Sequence, residues 1–100
     1  MRHTMIALTN ARAGNEAEYE SWSKDRHLAD VLAVPGVISG ECLRLAGDEG
    51  QWRYLTVYEV ETDDVPALLR EIESRVGTEA MPMTKALDLK TAFMGVFTRR

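Results

Sequence analysis

The chain has 100 residues, 45% of them hydrophobic and 28% charged, and its 12 basic and 16 acidic side chains leave a net charge of −4. That length holds one domain, residues 1–100, with a core of limited size for which oligomerisation is a common remedy. The basic residues are scattered and give no footprint for nucleic acid, and no apolar run approaches the roughly 20 residues that span a bilayer. A single cysteine, Cys42, excludes an internal disulfide and a four-cysteine zinc site and fits a reducing cytoplasm. The first residues lack the apolar core and cleavage site of a signal peptide, so a cytoplasmic location is expected.

His3 to Thr9 is short, apolar and bounded by Asn10 and Gly14, which predicts a first strand. Asn15 followed by Glu18 makes a capping-box pattern, and a helix is expected from about Glu16 to Ala33, stopping before Pro35-Gly36. Val37 to Leu45 reads as the second strand. After the Gly/Asp/Glu turn at 46–50, Trp52 to Glu61 reads as the third, and together they form an antiparallel hairpin. Trp52, Tyr54, Thr56, Tyr58 and Val60 share one face of that strand; Leu55, Val57 and Glu59 share the other. A second helix is expected from Asp63-Asp64 to Gly77, with Pro66 in its first turn and an apolar stripe of Val65, Leu68, Leu69, Ile72 and Val76. Residues 78–90 read as a loop with one helical turn, and Thr91 to Thr98 as the last strand.

The order is βαββαβ, an α+β sandwich of a four-stranded antiparallel sheet with both helices on one face. Large apolar residues occupy both registers of the third and fourth strands, as in a sheet buried on both sides. A two-fold homodimer through the uncovered sheet face follows.

The first helix carries Tyr19-x-x-Trp22-x-x-x-x-His27-Leu28-x-Asp30, then Val34-Pro35-Gly36-Val37, and the hairpin carries Tyr54-Leu-Thr-Val-Tyr58-Glu59. These segments resemble the EthD-like group of the dimeric α+β barrel superfamily. Ala29 stands where many relatives have proline, so the resemblance is at superfamily level. It implies a ferredoxin-like protomer, a barrel formed by two sheets, and a ligand cavity between sheet and helices. Proteins of that fold include lactone isomerases, polyketide cyclases, cofactor-free monooxygenases and haem-degrading enzymes, and fold alone does not choose among them.

At about 100° per residue, Tyr19, Ser23, His27 and Asp30 fall within a helical sector of roughly 80°. His27 is the titratable group there with a pKa near neutrality, and Asp30 at i+3 would orient its ring. His27, Asp30 and Tyr19 are the candidate catalytic residues. Trp22, Ser23, Tyr54, Tyr58, Met81 and Met83 are candidates for the ligand wall. A solvated helix face with an Arg26–Asp30 pair, core packing of the aromatics and loop packing of Met81-Pro82-Met83 are the plainer readings of the same residues. With two histidines and no zinc motif, phosphate loop or dinucleotide fingerprint, neither a metal nor an organic cofactor is expected. The expected function is a cofactor-independent isomerase, cyclase, dehydratase or lyase acting on a small aromatic, lactone or polyketide-like carbonyl compound, with His27 as acid and base. Such an enzyme would suit the catabolism of small aromatic compounds. Cofactor-free oxygenation is the lesser enzymatic option. The alternative is a non-catalytic dimeric module that binds a small molecule or accompanies another enzyme.

Overall fold

A computed structural model describes residues 1–100. The chain runs β1 (Arg2–Thr9), α1 (Glu16–Trp22), a π-helical turn (Ser23–His27), α2 (Leu28–Leu32), β2 (Val37–Arg44), β3 (Tyr54–Glu61), α3 (Val65–Arg75) and β4 (Phe93–Thr98). The strands form one antiparallel sheet in the order β2-β3-β1-β4. This is the α+β, ferredoxin-like arrangement expected from the strand and helix order. No helix is long and apolar enough to cross a membrane.

Period-two alternation decides the faces of the sheet. In β3, Tyr54, Thr56, Tyr58 and Val60 are buried under the helices, while Leu55, Val57 and Glu59 between them are half-buried on the other face. Pairing carries this parity across the sheet. Met5 and Ala7 of β1 stand opposite Tyr58 and Thr56, and Gly40 and Cys42 of β2 do the same from the other side. Met5, Val31, Val34, Val60, Ile72 and Met81 anchor the main core between sheet and helices. A smaller cluster of Tyr19, Tyr54, Ala86 and Leu87 closes the far end.

The helix ends show one agreement and one correction. Asp64 caps α3, its carboxylate accepting from the Ala67 N–H at 3.0 Å, with Pro66 in the first turn where a missing donor costs nothing. Asn15 does not cap α1 with its side chain, and Glu18 lies 3.5 Å from the Thr84 hydroxyl instead of closing a capping box. At φ −115° and ψ 22° Asn15 lacks the extended backbone that aims a cap side chain at the first turn. Two loop expectations also change. Residues 78–90 form turns with single bridges Val76–Met81 and Ala11–Leu87, and no helical turn. Trp52 lies outside β3 and is held by its indole N–H donating to the Thr91 carbonyl at 2.6 Å. His3 is a satisfied core residue: Nε2 donates to the Thr62 carbonyl at 3.2 Å, and Nδ1 accepts from the Thr98 hydroxyl at 2.7 Å.

Gly40 sets how closely the helical layer approaches the sheet. A Cβ there would stand 2.8 Å from the Tyr58 ring and 2.9 Å from a Leu28 methyl, so both side chains sit in space that only glycine leaves. Gly40→Ala is expected to destabilise the fold by about 1–3 kcal/mol, as overpacking does. Urea unfolding would measure it, and an unchanged midpoint would show that Tyr58 and Leu28 yield freely.

Candidate functional site

The chain from 16 to 32 is one helical rod with a residue inserted in its middle. The Leu28 N–H reaches the Ser23 carbonyl five residues back, and Ser23–His27 winds as a π turn. In an uninterrupted α-helix Trp22 and His27 would point about 140° apart. The insertion turns the downstream half back by roughly one residue, about 100°. Trp22 and His27 consequently stack, with ring centroids 4.3 Å apart and planes 22° from parallel.

This rod, β1, β3, α3, the 81–83 segment and the start of β4 line a half-open cavity of about 450 Å3. Fifteen of its 20 lining residues are hydrophobic, and Glu73, near one end of α3, is the single charged one. Of the sequence candidates, the wall brings together Tyr19, Trp22, Ser23, His27, Tyr58 and the pair Met81 and Met83. Met81 is fully buried, whereas Met83 is partly exposed. The segment between them is tied down, because the Trp22 indole N–H donates to the Pro82 carbonyl at 2.9 Å.

Two candidates stand elsewhere. The phase shift swings Asp30 off the cavity wall, and its carboxylate accepts from Arg26 Nε at 2.8 Å. Tyr54 lies behind Tyr19, ring centroids 4.5 Å apart, in a separate depression of about 240 Å3 beside Cys42 and Arg44. Its hydroxyl donates to Glu20 at 2.7 Å. Burial first, and then this carboxylate, raises the Tyr54 pKa. Cys42 is half-buried, with only long contacts to the Ser23 and Thr56 hydroxyls at 3.9 and 4.0 Å.

The polar groups inside the cavity are few. The Tyr19 hydroxyl bonds the Thr9 hydroxyl, and burial raises its pKa. The Tyr58 hydroxyl has no protein partner, and burial holds it strongly in the phenol form. His27 Nδ1 is buried and bonded to nothing. Burial lowers the His27 pKa below the ordinary 6.5, against a smaller opposing pull from the Asp30 charge. Thr9 and Glu73 are lining residues that motif spacing did not single out. Thr9 was accessible from strand parity, since it lies four residues beyond Met5 on the same face. No group of three or more His, Cys, Asp or Glu side chains is placed to hold a metal ion.

The lowered His27 pKa makes stability depend on pH. As pH falls through 6.5 the unfolded chain takes up a proton that the folded one resists, so stability should decline from there toward the folded pKa and then level off. Urea midpoints between pH 5 and 8 would show a slope that His27→Phe reduces. An identical slope in the variant would mean that His27 titrates as if in water.

No family model matches the chain, and no curated protein matches it. Solved structures do. A presumed monooxygenase from Shewanella loihica PV-4 superposes with a TM-score of 0.65 at 14% identity, covering 99% of this chain and 94% of its own. SnoaB, a cofactor-independent oxygenase from Streptomyces nogalater, gives 0.56 at 19% identity over 99% and 93% of the two chains. An EthD family protein from Bacillus halodurans gives 0.50 at 18% identity over 95% and 97%. The chain therefore has the ferredoxin-like α+β fold shared by these oxygenase and EthD-like proteins.

Proposed function

We propose that this chain is an enzyme acting on a small aromatic, lactone or polyketide-like compound that carries a carbonyl or phenolic oxygen. The observation that carries the reading is an apolar cavity lined by the His27 ring and by Tyr58, whose hydroxyl makes no hydrogen bond within the protein. Buried polar groups are normally satisfied, so unpaired ones in a cavity point to a ligand that completes them. Tyr19, Trp22, Ser23, Met81 and Met83 shape the apolar walls around the ligand ring. A ligand oxygen held by Tyr58 and His27 would have its developing negative charge stabilised in a site of low dielectric. Isomerisation, cyclisation, dehydration and carbon–carbon cleavage through an enolate all use that stabilisation, with His27 placed at the ligand oxygen. A second reading is favoured by the likeness to a cofactor-independent oxygenase: an electron-rich phenolate held in the same way would meet dioxygen as the oxidant.

A panel of aromatic ketones, phenols and lactones tests the reading through the Trp22 indole resonance. Compounds bearing the oxygen are expected to shift it, and Tyr58→Phe to weaken them about fivefold, the worth of one hydrogen bond. With a compound that turns over, His27→Ala should lower the rate on the order of 10²-fold. If no compound moves Trp22, the cavity is not a ligand site. Turnover indifferent to His27 would remove that residue from the mechanism, and binding without turnover of any compound would favour a non-catalytic binding module.

The second part of the proposal is a homodimer through the face of the sheet opposite the helices. Ile6, Leu8, Leu43, Leu55, Val57 and Phe97 point there by strand parity, and Phe97 remains 52% exposed and Leu43 42%. Such a contiguous apolar patch is rare on a monomer's surface, and a self-complementary two-fold contact would cover it. Light scattering should give twice the chain mass, and Val57→Lys with Phe97→Asp should give the monomer. A wild-type monomer at high concentration would end this proposal.

A further inference from the structure

His27 stands out among the groups the cavity presents, because one edge of its ring is closed. Nδ1 is sealed from solvent with no hydrogen-bond partner, and the ring lies against the Trp22 indole. The neighbouring carboxylate is engaged elsewhere, Asp30 accepting from Arg26 Nε at 2.8 Å. The ring lines the cavity, so Nε2 is the nitrogen through which it can meet a ligand.

The imidazole has three protonation states, and two of them place a proton on Nδ1. The imidazolium carries N–H on both nitrogens. The neutral Nδ1–H form is the one a base needs if it is to accept at Nε2. Each would bury an N–H without an acceptor, which native proteins almost never do. A histidine that works as a base has its second N–H held by a carboxylate or carbonyl; here none is in place. The Nε2–H form leaves only a lone pair on the sealed side, a less costly defect.

We propose that His27 is held as the Nε2–H tautomer and serves the cavity as a neutral hydrogen-bond donor to an oxygen of the ligand, not as a proton acceptor. The inference rests on the cavity being the ligand site, and it narrows the ligand class. Tyr58 is a further neutral donor in the lining, and its single lining charge, Glu73, is negative. The fitting ligand is an uncharged carbonyl compound (a ketone, lactone or quinone) and not a free carboxylate, which no lining cation would balance. The role that follows is polarisation of the carbonyl and stabilisation of the enolate or phenolate it becomes, as a neutral imidazole can do when its pKa is kept low.

The test uses the whole protein and two probes, 2-acetylnaphthalene with a carbon-13 carbonyl and 2-ethylnaphthalene, which lacks the oxygen. Two-bond proton–nitrogen correlations first read the tautomer of unliganded His27 at neutral pH; the Nε2–H pattern is expected. Infrared spectra then follow the labelled carbonyl, whose band should move to lower frequency on binding. His27→Phe keeps a ring against Trp22 and removes the donor. It should reverse part of that shift and weaken the acetyl compound about fivefold, leaving the ethyl compound unchanged. An Nδ1–H or imidazolium pattern overturns the inference. So does a carbonyl band and affinity indifferent to the substitution, while both probes still bind and the cavity reading stands. If neither naphthalene binds the wild type, the cavity reading itself falls and takes this inference with it.

Discussion

The stack of His27 on Trp22 is the contact around which the cavity is organised, and it exists because the helix gains a residue between them. A π turn has poorer backbone geometry than the α-helix around it and persists where something offsets the cost. Here the offset is visible in three contacts: the two rings face to face, the Trp22 N–H on the Pro82 carbonyl, and Val31 brought into the core downstream. Without the insertion His27 would lie far around the helix from Trp22, and Asp30 would take a place on the wall. The rod would then add a second carboxylate to the wall beside that of Glu73.

The sheet makes a complementary contribution. Gly40 leaves space for the Tyr58 ring against Leu28, and the parity of β3 aims that phenol inward beside Thr56. Rod and sheet therefore deliver their polar groups from opposite walls, and nearly everything else between them is hydrocarbon. In such a medium each polar group counts for more than it would in water, and the absence of a hydrogen-bond partner on His27 Nδ1 matters as much as the presence of Tyr58. Glu73, partly in water near one end of α3, is the exception and carries the local charge.

Much of this was legible in the sequence. The alternation of Tyr54, Thr56, Tyr58 and Val60 gives the buried face of β3, and the stripe from Val65 to Ile72 gives the inner side of α3. The order of elements then leaves few ways to assemble them. Tyr19, Trp22, Ser23 and His27, all named as candidates, line the cavity. Asp30 was named with them but stands off the wall, since a wheel drawn at a constant angle cannot register an inserted residue, and residues 23–27 carry no glycine or proline to announce one. Tyr54 has the right parity but lies behind Tyr19, a matter of depth along the sheet that alternation does not encode. Asn15 and Glu18 satisfy the capping pattern in letters only, because the pattern does not fix the backbone angles of Asn15.

The bond from Trp22 to Pro82 joins residues 60 apart, and β1 pairs with β4 across almost the whole chain. Contacts of such separation form late, after the shorter loops have closed. On the ribosome, the first helix and the β2–β3 hairpin would emerge well before the segment that walls the cavity, leaving one edge of β1 bare and Trp22 uncovered. Nascent chains of this protein would therefore pass through a stage that is folded in outline but open at the cavity. That interval, more than the finished structure, is where the chain is most exposed to strand-edge pairing with its neighbours.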